Sequence, residues 1–142
     1  MAGNNLQAFA EKAILICTVD PQGCPHPAIL SYFEVIAKDD RNIRLAVFKD
    51  STTTANMRRN GKLTVLIIDE RVAYYIKGTV EELDREMACA PQNSKLNLRV
   101  EQVLADEANE EFEPGAYVTS GITYTRRGEP PGARAMLQEL VA

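Results

Sequence analysis

Residues 48–62 read FKDSTTTANMRRNGK: four consecutive hydroxyl residues, then an asparagine and two arginines, set between two apolar runs. The local reading is a short helix. Ser51 is a good N-cap, Thr52 to Arg59 gives two turns, and Asn60-Gly61 supplies the left-handed residue that commonly ends a helix. Capping uses one or two of the hydroxyls. It leaves Thr52, Thr53 and Thr54 unexplained, because threonine competes for its own backbone and is a mediocre helix former. A helix start has free N–H groups; with Thr52, Thr53, Lys49, Arg58 and Arg59 nearby, it is a candidate cradle for a phosphate ester.

Outward from this connection the chain reads mostly as strands. Ala13–Val19 (AILICTV) is an apolar run too short for a buried helix, and DPQG at 20–23 has the residues of a tight turn into an antiparallel partner. That partner is expected to be one long strand, Pro27–Lys38, turned by DDRN at 39–42 into Ile43–Phe48. Beyond the short helix, Leu63–Asp69 and Val72–Leu83 form a hairpin about Glu70-Arg71, and Gly78 marks a bulge or bend. Residues 84–93 read as helix or loop. Leu96–Val100 alternates like a strand with one wet face, residues 106–113 as an acidic solvated segment, and Ala116–Arg126 as a strand. Leu6–Lys12 is a short amphipathic helix, and Pro130–Val141 a second one with Ala133, Met136, Leu137, Leu140 and Val141 at helical spacing. The expected fold is mainly β, an antiparallel barrel of six to eight strands with peripheral helices, in one domain spanning 1–142.

Composition narrows the function classes. With 45% hydrophobic and 25% charged residues in 142, the chain has material for a core and none of the bias of a disordered segment. A net charge of −4 argues against nucleic acid as the main partner. No run approaches a membrane span, and the N-terminus lacks a signal peptide's basic start, so a cytoplasmic protein is expected. Cys17, Cys24 and Cys89 show no metal or disulfide spacing, and His26 is the only histidine. No metal site is expected, and a Ser-His-Asp triad would have to rest on His26 alone.

The order of these pieces, "GCPHPAILSYF", "IRLAVF", "KDSTTTANMRRNGKLTVLI" and "YYIKGTVEEL", resembles the FMN-binding split barrel of the pyridoxamine 5′-phosphate oxidase-like superfamily over about residues 6–84. The resemblance implies a Greek-key-like split barrel, with a core over about 6–126, and FMN as cofactor. It implies that the flavin phosphate lies against Ser51, Thr52 and Thr53, and that the ring runs along Ala28, Ile29, Leu30 and Ser31 and the strand end Val47, Phe48 and Lys49. Asn56 and Arg58 complete the expected set. It also implies a homodimer in which the partner contributes from a region like Val72–Lys77.

The sequence departs from that pattern where the true oxidases carry cations: Ala28 and Phe33 stand on the second strand, and Thr53 replaces the linker lysine. These losses argue against the pyridoxamine phosphate reaction itself. The expected function is an FMN-dependent flavin reductase or oxidoreductase of unknown substrate, whose chemistry the cofactor supplies without triad or metal. The rival readings are a non-catalytic flavin-binding module, a haem-binding barrel with His26 as axial ligand, and a barrel that has lost its ligand. The homodimer has a second, independent basis: Tyr74, Tyr75 and Ile76 are consecutive, so a strand must turn one of its apolar faces away from its own core.

Overall fold

The computed structural model describes residues 12–119 and 132–142. Its elements are β1 (Ala13–Val19), β2 (Pro25–Ser31), β3 (Val35–Ala37), β4 (Asn42–Phe48), α1 (Thr52–Asn60), β5 (Lys62–Asp69), β6 (Val72–Asp84), β7 (Asn93–Asp106) and α2 (Ala133–Val141). The seven strands form one antiparallel sheet in the order β2-β1-β5-β6-β7-β4-β3, curled into a half-barrel. Its concave face is lined by alternate residues of neighbouring strands, among them Ile14, Ile16, Leu30, Leu45, Val65, Val80, Leu96 and Leu98, with Met57 of α1 closing the cluster.

The turns follow local chemistry. The Asp20 carboxylate accepts the N–H groups of Gln22 and Cys24, and Gly23 takes φ 83°, which sets β1 against β2 with Leu15 opposite Ile29. Arg71 holds φ 70° in the β5–β6 turn, where its N–H bonds the Val118 carbonyl and its guanidinium lies 4.2 Å from the centre of the Tyr117 ring. At Gly78 the β6–β7 register shifts, leaving Glu101 as the extra residue of the bulge expected there. A Cβ at Gly78 would stand 1.9 Å from the Arg99 carbonyl oxygen, so glycine is needed for the close approach of the two backbones.

Several expected elements are corrected. The strand Pro27–Lys38 is broken: after Ser31 the chain makes a 3₁₀ turn, Tyr32–Glu34, in which Glu34 reaches back to accept the Ser31 N–H at 2.7 Å. The break lets β2 pair with β1 while β3 crosses to the far edge and pairs with β4. Phe33 then enters a second apolar cluster with Ile36, Ala46, Met87 and Leu140. Leu96–Val100 is only the middle of the 14-residue β7, and its expected wet face is wet only in part: Arg99 is exposed but Asn97 is not. Lys95 and Asn97 are buried because α2 covers that side of the sheet.

Residues 85–92 form a loop, and Asp106 ends β7 ahead of turns. Residues 116–119 are not strand; the rest of the expected strand at 116–126 lies outside the described residues, as do 6–11 of the first expected helix.

Helix α2 is fixed to the sheet by charge as well as by Met136, Leu137 and Leu140. Its last carbonyls accept from cations, Arg44 bonding Leu140 O at 3.2 Å and Lys95 bonding Glu139 O at 2.7 Å, which also suits the negative end of the helix dipole. The Glu139 carboxylate accepts the N–H groups of Ala88 and Cys89 at 2.5 and 3.1 Å, tying the 85–92 loop to the same helix.

Candidate functional site

Helix α1 closes the concave face between β4 and β5, and its first turn uses two of the four clustered hydroxyls for structure. Ser51 Oγ accepts the Thr54 N–H at 3.1 Å and bonds the Phe48 carbonyl at 2.8 Å; Thr54 Oγ1 donates to the same carbonyl at 2.7 Å. Gly61, at φ 67°, ends the helix with its N–H on Met57 O. Among the described residues, no acceptor serves the N–H of Thr52 or Thr53, and no partner serves either hydroxyl. Thr53 is only 4% exposed, an unusual place for an unbonded hydroxyl. These two residues therefore present two N–H groups and two hydroxyls at the positive end of a helix, which fits the oxygens of a phosphate ester.

The cations expected to assist are present and already matched. Lys49 Nζ lies 2.6 Å from Glu86, and Arg58 reaches back along the helix to Lys49 O at 2.9 Å while pairing with Glu82 at 2.6 Å. The hydrogen bond from Arg58 holds the Glu82 carboxyl below the usual carboxylate range, and the one from Lys49 does the same for Glu86. Arg59 is turned elsewhere, to Asn56 Oδ1 at 3.1 Å and to the Val19 carbonyl.

The expected site residues divide into two groups with no hydrogen bond between them among the described residues. Phe48, Lys49, Ser51, Thr52, Thr53 and Arg58 converge on the entrance of α1. Ala28, Ile29, Leu30 and Ser31 alternate along edge strand β2, with Ala28 and Leu30 turned to the core and Ile29 outward, 63% exposed. The side chains of Leu30 and Val47 are spent on the barrel interior, which leaves their backbone for any ligand.

Asn56 is 1% exposed, and its amide bridges Thr18 Oγ1 at 3.0 Å and Arg59, a role in joining α1 to β1. Phe48 is 64% exposed. His26 is half-buried on β2, its carbonyl accepting from Thr18 Oγ1.

Sequence reading missed Glu82, Glu86 and Ser94, which complete the surroundings of the two cations; Ser94 Oγ accepts from Arg58 at 3.3 Å. No local signal marks them, because they reach α1 only through the pairing of β6 with β7 and the loop between them.

On the convex side, register aligns Ile29, Leu15, Leu66, Tyr75 and Leu104 side by side across β2, β1, β5, β6 and β7. This apolar row ends in Leu104 at 40% exposure, with Ile29 at its other end. Tyr75 directs its hydroxyl to Asp106 at 2.6 Å, which raises the phenol above its ordinary range.

A family model described as pyridoxamine 5′-phosphate oxidase matches residues 4–120. Uncharacterized protein YclD of Bacillus subtilis (strain 168) is 30% identical over 120 residues, spanning 84% of this chain and 75% of that protein. Among solved structures, Group A Streptococcus HupZ superposes with a TM-score of 0.60 at 16% identity, over 85% of this chain and 99% of that one. An F420 reductase superposes at 0.58 with 13% identity, over 73% and 98% of the two chains. At such identities the structural likeness speaks for the fold.

Proposed function

We infer function from one premise: the chain belongs to the pyridoxamine 5′-phosphate oxidase family. We propose that it is an FMN-binding flavoprotein acting as a flavin reductase or oxidoreductase, working as a homodimer in the cytoplasm. The observation that carries the reading is the first turn of α1, where Thr52 and Thr53 offer uncommitted N–H and hydroxyl groups beside Lys49 and Arg58. These residues would hold the flavin phosphate, and the exposed Ile29 and Phe48 with the half-buried Ser31 offer apolar and polar surface for the rest of the cofactor. The flavin, when bound, supplies electron and hydride transfer; the chain's task is to bind it, orient it and limit water around it.

The apolar row from Ile29 to Leu104 supports the dimer, since a second copy would cover it, and three free cysteines suit a reducing compartment. No helix among the described residues is long and apolar enough to cross a membrane.

The test is a visible spectrum of protein incubated with FMN and then dialysed. Retained flavin absorption, followed by turnover of NADH or NADPH with an artificial acceptor, is the expected result. Colourless protein with no measurable FMN affinity would end the flavin reading, and bound flavin without turnover would reduce it to a carrier. Light scattering of wild type and Leu104→Glu should show a dimer and a monomer; a wild-type monomer would remove the partner subunit from the site.

A further inference from the structure

The entrance of α1 holds two cations and, facing them, two carboxylates from a different part of the chain. Glu82 comes from β6 and Glu86 from the loop after it, and each places an oxygen 2.6 Å from a nitrogen of Arg58 or Lys49. Those are the distances at which a phosphate oxygen would sit on the same nitrogens. Asp50, exposed between Lys49 and Ser51, adds a third negative group. Arg85 acts electrostatically on both carboxylates; counted with Lys49 and Arg58 it leaves these groups with no net charge, at a helix start whose N–H groups and hydroxyls suit an anion.

We propose that Glu86 and Glu82 are specificity-determining residues of this site: they occupy Lys49 and Arg58 in the place of ligand oxygens and penalise a ligand in proportion to its negative charge. The proposal rests on the phosphate reading of α1 given above and adds to it which charge state the site favours. A dianionic phosphate monoester must displace or tolerate both carboxylates, whereas an uncharged flavin is indifferent to them. Glu86 is the one to test, because its side chain is 57% exposed and its replacement should leave the core intact. One unit charge about 6 Å away, screened as in water, changes the affinity of a dianion roughly tenfold and that of a neutral molecule not at all.

The experiment compares wild type, Glu86→Gln and the double variant Lys49→Met/Glu86→Gln at low and at high salt. Inorganic phosphate is titrated against the Thr52 and Thr53 amide signals by NMR, and FMN and riboflavin are titrated separately by fluorescence quenching. Glu86→Gln should bind phosphate and FMN about tenfold more tightly with riboflavin unchanged. The gain should shrink in high salt and be cancelled in the double variant, where loss of the Lys49 cation offsets loss of the Glu86 carboxylate.

If phosphate tightens while no flavin binds to any variant, the charge rule holds and the flavin reading fails. If FMN binds and Glu86→Gln leaves it unchanged or weaker, the charge rule fails while the flavin reading survives. Absence of phosphate binding in all three proteins overturns the proposal, as does equal tightening of FMN and riboflavin.

Discussion

Asn56→Ala separates the role the structure gives this residue from the ligand contact its place in the linker suggests. Its side-chain N–H donates to Thr18 Oγ1 at 3.0 Å and its oxygen accepts from Arg59 at 3.1 Å, with Asn56 and Thr18 both 1% exposed. Truncation removes one buried hydrogen bond, worth about 1 kcal/mol net, and leaves the Thr18 hydroxyl with only its 3.4 Å bond to the His26 carbonyl. The unmet polar group and the vacated space add roughly 1–2 kcal/mol, for a total of about 2–3 kcal/mol. At about 2.1 cal/mol/K per residue, 142 residues give an unfolding entropy near 0.3 kcal/mol/K, so the apo protein should melt about 7–10 °C lower. Urea unfolding should show a lower midpoint with unchanged slope. If apo Asn56→Ala melted with the wild type and only its FMN affinity fell, Asn56 would be a ligand contact and its assignment to the α1–β1 junction would be wrong.

The other predictions concern the fold around the site. Gly78→Ala drives a Cβ into the Arg99 carbonyl, a backbone atom of the paired strand, and should cost about 3 kcal/mol, read as a fall in Tm near 10 °C. Glu82 has a carboxyl held low in the folded state by Arg58, so its contribution is present above the ordinary unfolded value of 4.5 and is lost as pH falls through the folded value. Urea midpoints measured from neutral pH downward should therefore drop on the acid side, and Glu82→Gln should flatten that drop; an identical acid limb in the variant would refute the pairing. The thiol of Cys89, an exposed residue, is pushed up to about 11 by partial desolvation and by the neighbouring Glu139 carboxylate, so it should resist alkylation at mildly alkaline pH. Glu139→Gln should speed that alkylation, and an unchanged rate would count against the contact.

How far the sequence foretold this molecule depended on how local each cause was. The cap at Ser51, the stop at Gly61, the DPQG turn and the bulge at Gly78 all follow from residues within a few positions of one another, and each appears where the sequence puts it. The break after Ser31 has a local cause too, the reach of Glu34 back to the Ser31 N–H, but the apolar run PAILSYFEVIA masks it as a continuous strand. The length of β7 was hidden for a different reason. Its final residues are exposed and mixed in polarity, and only pairing with β6 makes them a strand.

At the candidate site, Thr52 and Thr53 were legible as hydroxyls in excess of capping needs, while Thr54 proved to be part of the cap. The neutralising partners Glu82 and Glu86 lie more than twenty residues downstream of their cations, and nothing in the linker announces them.

The central claim is that a flavin phosphate rests on the first turn of α1, and amide NMR of the full chain titrated with FMN tests it most directly. The Thr52 and Thr53 signals should shift together and saturate with the same affinity as the visible spectrum. Saturable FMN binding that leaves both amides unmoved would place the cofactor elsewhere and contradict the claim.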